Sequence, residues 1–372
     1  MKQGRTLQEI GVELIRQRKS RKDFLADTRN LEMETTEGVS KLAVLLGNTE
    51  KQYAVGPIAH QQIASRLQIP YRYYQKMQQE FPMLLDESVN GWFRQSPERR
   101  MVRVLDHNVR AFLSDRYRRL DHLELCSAVL PLIQEMKGAE ITSCDVTDAH
   151  LYLKVINRKL KEEVTVGDVV QAGFVISNSE IGLGSLRVEP LVFRLVCKNG
   201  LIVKDYAQKK YHVGRQINDQ PNDAYELYSD ETLAQDDKAF FMKVQDIVRS
   251  AVDETKFHLS VRKLQEAKQI PLTHNPVEVV EVLADTFQLN QNERGDVLRQ
   301  LFLGKDCSRY GLINAVTAAS QLSESYERAT ELERIGGELL AYPVPKTLLS
   351  GQRPAKPMRN VTPDVPRLTV VK

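Results

Sequence analysis

Apolar and polar positions change period several times along the chain, and each change predicts an element. Leu7, Ile10, Leu14 and Ile15 fall on one helical face behind Thr6-Leu7-Gln8-Glu9, a capping box. Residues 31–53 are mixed and read as strands, with Lys41–Leu46 the clearest. Ile58–Leu67 and Tyr71–Gln79 read as two helices broken at Ile69-Pro70, in the rhythm of a helix-turn-helix, with Gln68 where such a turn often carries glycine. Met101–Leu105 and Val109–Leu113 flank Asp106-His107-Asn108 and predict a β-hairpin. Asp121-His122-Leu123-Glu124 has the form of a second capping box, opening a helix over Leu123–Met136 that Pro131 should kink or split.

Strands are expected at Ile141–Asp145 and at Leu151–Ile156, with Lys154 directed outward. Val164–Ile176 reads as strand, turn, strand, and Leu186–Val188 and Leu191–Val196 as further strands. A tight turn is expected at Asn199-Gly200, with Leu201–Val203 leaving it. Gly182 and Gly184 lack the spacing of a nucleotide-binding loop and read as a turn with positive φ. From Glu231 to Gln269 the pattern becomes amphipathic and helical. A new helix starts at Asn275-Pro276, and Asn292–Leu303 and Tyr310–Leu340 complete the series. Their apolar stripes read as core.

These elements predict an α+β protein: a mostly antiparallel central sheet over about residues 100–205, flanking helices and a helical C-terminal region. The divisions are a mostly helical N-terminal region over 1–95, an α+β core over 96–215, C-terminal helices over 230–342 and a tail over 343–372. The tail carries six prolines and reads as disordered.

Composition changes this picture little. The 372 residues are 42% hydrophobic and 27% charged, as in a globular protein. No run approaches the roughly 20 apolar residues of a membrane-spanning helix, and the charged start has no signal-peptide core. Cys126, Cys144, Cys197 and Cys307 lack zinc-binding spacing and read as reduced, mostly buried thiols of a cytoplasmic protein. The histidines form no metal-ligating pattern, so no metal or cofactor is expected.

Charge distribution changes it more. The total is +3, but the tail alone holds +5, leaving −2 for the rest. Within that acidic remainder, residues 94–119 carry eight arginines against Glu98, Asp106 and Asp115. In a simple hairpin Arg103 and Arg110 fall on opposite faces; a one-residue bulge would bring them to the same face. Arg16–Lys22 is a second basic run, suited either to a solvated helix end or to a phosphate-contacting arm. Arginines interleaved with tyrosines suit a nucleic acid, cations holding phosphates and rings stacking on bases. The expected contacts are Arg99, Arg100, Arg103, Arg110, Arg116, Arg118 and Arg119 for phosphate, and Tyr71, Tyr73, Tyr74 and Tyr117 for stacking.

Four blocks carry a family resemblance: IPYRYYQKM with Asn90-Gly91-Trp92, VRAFLSDRYRRLDH, ISNSEIGLGSLRVEPLVFRLVCKNGL and SRYGLINAVTAAS. Together they resemble the phage- and plasmid-related proteins grouped as domain of unknown function 932, from about Leu46 to Leu340. Many members have His-Asp-Gly after the Asn-Ser, where this chain has Glu180-Ile181-Gly182. The resemblance implies a mobile-element setting and no catalytic residues.

The functional expectation is a DNA-binding protein of a phage or plasmid, a single-strand annealing or recombination factor, able to form a homo-oligomer. Two alternatives stand beside it. One is an enzyme with a scattered site, for which Asp115, His122 and Glu180 are the candidates. The other is a protein-interaction factor, such as an anti-host-defence protein working through its C-terminal helices.

Overall fold

A computed structural model describes residues 1–47, 49–117, 119–203 and 230–341. The expected tail lies outside these residues. The fold is α+β, but its strands form two sheets where one central sheet was expected.

The first sheet is built mostly from the N-terminal region. After α1 (Leu7–Ser20) come β1 (Lys22–Asp27), β2 (Leu31–Thr36), β3 (Val39–Leu46) and β4 (Thr49–Val55), so this region adds four strands to its helices. The Thr6–Glu9 capping box opens α1 with both of its bonds present. Helices α2 (Pro57–Arg66), α3 (Tyr71–Glu80) and α4 (Pro82–Gln95) follow, then the hairpin β5 (Arg99–Leu105) and β6 (Asn108–Ser114). Gln68 takes the left-handed turn position at φ +56°. The hairpin joins the N-terminal strands in the order β1-β5-β6-β4-β3-β2, antiparallel except where β4 meets β6. Val102 and Val104 point to the face that packs against Ile63, Tyr74, Leu85 and Val89 of α2, α3 and α4. Arg103, between them in the pleat, therefore points to the other face.

Helix α5 (His122–Glu135) leads to the second sheet: β7 (Ala139–Val146), β8 (Leu151–Thr165), β9 (Asp168–Asn178), β10 (Arg187–Arg194) and β11 (Asn199–Ile202). Its order is β11-β10-β9-β8-β7, wholly antiparallel. Pro131 does not split α5, which runs unbroken through it. Asn199-Gly200 lies inside β11; the tight turn comes just before it, with Lys198 at φ +52°.

Helices cover both faces of the second sheet. On one, Leu151, Leu153, Val155, Phe174 and Ile176 meet α1, α5 and α6 (Asp230–Ser250). The C-terminal helices α7 (Glu254–Lys268), α8 (Pro276–Phe287), α9 (Gln291–Gly304), α10 (Arg309–Ala319) and α11 (Tyr326–Ala341) share a core with its far end, so their apolar stripes are core as expected.

Lys154 corrects an expectation. It points inward beneath α11, wholly buried, and its ammonium lies 2.6 Å from the equally buried Glu333. Strict alternation assumes that one face of a strand meets water, and here neither does.

Gly337 marks where α11 comes closest to the sheet: a Cβ there would stand 1.8 Å from the Ile202 carbonyl oxygen. Alanine gains about 1 kcal/mol over glycine inside a helix, yet this contact would force α11 off the sheet. Overpacking of that kind costs about 1–3 kcal/mol. Gly337→Ala is therefore expected to lower the melting temperature despite its better helix propensity, as a thermal scan would show.

Candidate functional site

The sequence block 109–122 and the first part of the block 176–201 meet where the first sheet touches the second. The hairpin turn places Asp106 and His107 at φ +49° and +64°, the geometry of a two-residue type I′ turn. Pairing runs Arg103 with Ala111 and then Val104 with Val109, so Arg110 is the extra residue of a bulge. The bulge brings both arginines to one acidic residue. Arg103 Nη1 donates to the Glu180 carbonyl at 2.6 Å, and Arg110 Nη2 donates to the Glu180 carboxylate.

Arg103 is wholly buried and fully engaged. Its Nε and Nη2 reach Asp23 at 3.0 and 3.2 Å, and Nη2 also reaches Asp121 at 2.8 Å. Arg21 pairs with the other oxygen of Asp121. Asp121 sits at the N-cap of α5 but makes no capping bond, because arginines occupy its carboxylate. The expected Asp121–Glu124 capping box does not form. Glu180 caps the helix instead, accepting from the His122 backbone N–H at 2.6 Å.

Electrostatics follow from this packing. Burial tends to raise the Glu180 carboxyl. Charge at His122 and Arg110, with the His122 N–H, overrides it and holds the group at about 2. Burial pushes the His122 imidazole down to about 4, and does the same to His60. Between pH 4 and about 6.5 the unfolded chain binds protons at these histidines that the folded chain does not, so stability rises with pH there. Glu180 adds a second loss of stability as pH falls from its unfolded value near 4.3 towards 2. Thermal melts are expected to decline from about pH 6.5 downward, with His122→Gln flattening the upper part of that decline.

The expected contacts separate into distinct groups. Arg103, Arg110 and Tyr74 are corrected to structural roles. The two arginines are tied into the junction, and Tyr74 is wholly buried with its hydroxyl 2.9 Å from His60 Nδ1. Arg100 is mostly covered, paired with Glu98 at 2.7 Å and lying over the Phe112 ring. Tyr71 stacks on Tyr74, whereas Tyr73 is 52% exposed. All three tyrosines belong to α3, over the sheet face opposite Arg103, so the structure does not bring them to the arginines. Tyr117 is half-buried on the arginine side and donates to the Ser179 carbonyl at 3.2 Å. Arg99, Arg116 and Arg119 are exposed, the last 3.2 Å from Asp23. Arg118 lies outside the described residues.

Of the three catalytic candidates, His122 and Glu180 come together through the His122 backbone, while Asp115 sits on an exposed turn. Glu180 is engaged by Arg110 and the α5 terminus, which leaves it unsuited to moving protons. Cys126 and Cys144 are buried, but Cys197 and Cys307 are exposed.

Beside the junction lies a cleft of about 540 Å³ between α1, α5 and α6. Arg18 and Lys238 line it from α1 and α6, over Glu124, Asp121 and Glu180. Burial and Asp121 push the Glu124 carboxyl up, against the pull of Arg21, Arg119 and Arg18. Arg18, Lys19 and Lys238 are exposed and make no direct ion pair among the described residues. Arg16, in the same basic run, is held by Glu13 and Asp106 at 2.8 Å. The basic run of α1 was legible in the sequence; that α6 would bring Lys238 to it was not.

Comparison with known proteins returned no matching curated protein and no matching solved structure. Residues 110–337, more than half of the chain, match the model of the domain of unknown function 932. That span takes in the bulge, the α5 cap and the Glu180 loop, and the chain belongs to the DUF932 family.

Proposed function

We propose that the protein binds single-stranded DNA by its phosphates, along the exposed cations around the α1–α6 cleft. One observation supports this reading above the others. Arg18 and Lys238 come from two separate helices, line one cleft and keep their side chains in solvent, while Arg21, Arg103 and Arg110 behind them are held in ion pairs. Exposed cations in such a group neutralise phosphates with little desolvation and no need for a catalytic residue. A role in strand annealing or recombination of a phage or plasmid belongs to the same proposal.

Fluorescence anisotropy with a labelled oligothymidylate tests it. The wild-type chain is expected to bind at low salt. The triple variant Arg18→Ala, Lys19→Ala, Lys238→Ala should bind at least tenfold more weakly with an unchanged melting temperature. Absence of wild-type binding, or equal binding by the folded variant, would remove the proposal.

A second reading, as a protein-interaction factor, draws on a different surface from the C-terminal helices expected for it. Phe81, Met83 and Trp92 of the α3–α4 hairpin are 61%, 78% and 50% exposed, an apolar exposure of the kind that marks docking surfaces. Under this reading the protein self-associates. Sedimentation velocity should then show a concentration-dependent oligomer that Met83→Ser with Trp92→Ser converts to monomer.

A further inference from the structure

The second sheet carries an unrelated polar cluster under α11. Tyr152, Ser177 and Arg187 are cross-strand partners on β8, β9 and β10 and so share one face. From α11, Glu327 accepts the Tyr152 hydroxyl at 2.7 Å and holds His150 Nδ1 at 3.1 Å from each of its oxygens. Burial works to raise the Glu327 carboxyl, but His150, Thr147 and Tyr152 outweigh it and hold the group at about 2. The ionised carboxylate fixes the imidazole with Nδ1 towards it. Nε2 then faces Gly184, where an added Cβ would lie 3.3 Å from it.

These groups line a cleft of about 530 Å³, a volume suited to a small ligand. Leu183, Phe287 and Ile335 supply apolar wall, and Arg187, Arg328 and Arg334 supply positive charge. Two of these arginines are already held: Arg328 by Glu293 at 2.6 Å and Arg334 by Glu189 at 2.7 Å. Arg187 is half-buried and makes no ion pair among the described residues. A guanidinium placed in a cleft without its counter-ion presents a planar fork matched to phosphate oxygens.

We propose that this cleft binds a phosphomonoester of mononucleotide size. Arg187 clamps the phosphate, His150 completes the contact at Nε2 through a shared proton, and the apolar wall takes the base. A polyphosphate chain is disfavoured, because acids already hold Arg328 and Arg334, which leaves Arg187 as the guanidinium open to phosphate among the described residues lining the cleft. The site lies on another face from the α1–α6 cleft and does not depend on the DNA reading.

Calorimetry of the full chain with thymidine 5′-monophosphate and with thymidine is the test. The wild-type protein is expected to bind the monophosphate at least tenfold more tightly than the nucleoside, and inorganic phosphate should compete. Arg187→Ala should lose at least tenfold in affinity for the monophosphate, as should His150→Gln. A 5′-phosphorylated oligonucleotide that gains over its 5′-hydroxyl form in an Arg187-dependent way would identify the ligand as a strand end. Equality of the two forms, with the monophosphate bound, would identify a free nucleotide. No binding at millimolar monophosphate, equal binding of thymidine, or unchanged affinity in a folded Arg187→Ala variant would overturn the proposal. Should that variant fail to fold, the wild-type comparison of nucleotide with nucleoside decides.

Discussion

Arg103→Ala is expected to destabilise the protein by about 3 kcal/mol, without itself removing a DNA contact. The substitution deletes charge-assisted hydrogen bonds to Asp23, Asp121 and the Glu180 carbonyl at a position with no solvent exposure. Breaking one side of a buried ion pair costs about 3–5 kcal/mol, because the remaining charge stays desolvated. The low end applies because Arg119 still reaches Asp23 and Arg21 still reaches Asp121. Arg103→Lys should recover only part of the loss, since an ammonium cannot reproduce the guanidinium fork. Urea unfolding measures both. A variant as stable as the wild type but unable to bind DNA would mean that Arg103 faces a ligand rather than the junction.

Glu333→Leu is expected to cost at least as much, about 3–5 kcal/mol, by leaving the Lys154 ammonium, which lies over the Tyr326 ring, in the interior without its counter-ion. Burial already pushes Lys154 down, against the pull of Glu333. The pair is 0% exposed on both sides, and Glu333 Oε1 has no hydrogen-bond partner among the described residues. Such a pair is strained by desolvation more than it is stabilised by attraction. The double variant Lys154→Met, Glu333→Leu should therefore recover to within about 1 kcal/mol of the wild type, or exceed it. The expected coupling between the two sites is about 3 kcal/mol, read from a double-mutant cycle in urea. Additive losses would mean that the side chains contribute independently and that the ion pair is not the source of the cost.

Arg103, Arg110 and their acids show how far the sequence could be read. The hairpin, the Thr6 capping box, the α2–α3 pair and the Asn275-Pro276 helix start were legible, because each depends on residues within a turn or two. The bulge was legible as an alternative but not as a choice, since Glu180 lies 70 residues from the Arg110 it attracts. Local counting found too few acids near Arg103 for the same reason: Asp23 is 80 residues away in sequence and adjacent in space. Asp121 and Glu124 have the spacing of a capping box, yet long-range arginines outcompeted the local bond. Two sheets were read as one because the N-terminal strands pair with β5 and β6 across three intervening helices.

The salt dependence of oligothymidylate binding tests the central claim most directly. Phosphate contacts on a single strand release counterions, so the slope of log K against log salt is about −0.7 for each phosphate neutralised. Contacts by Arg18, Lys19, Arg119 and Lys238 predict a wild-type slope of roughly −3. Removing Arg18, Lys19 and Lys238 should flatten it to roughly −0.7 in a protein that melts as the wild type does. A slope left unchanged by that substitution would contradict the placement of DNA at the α1–α6 cleft.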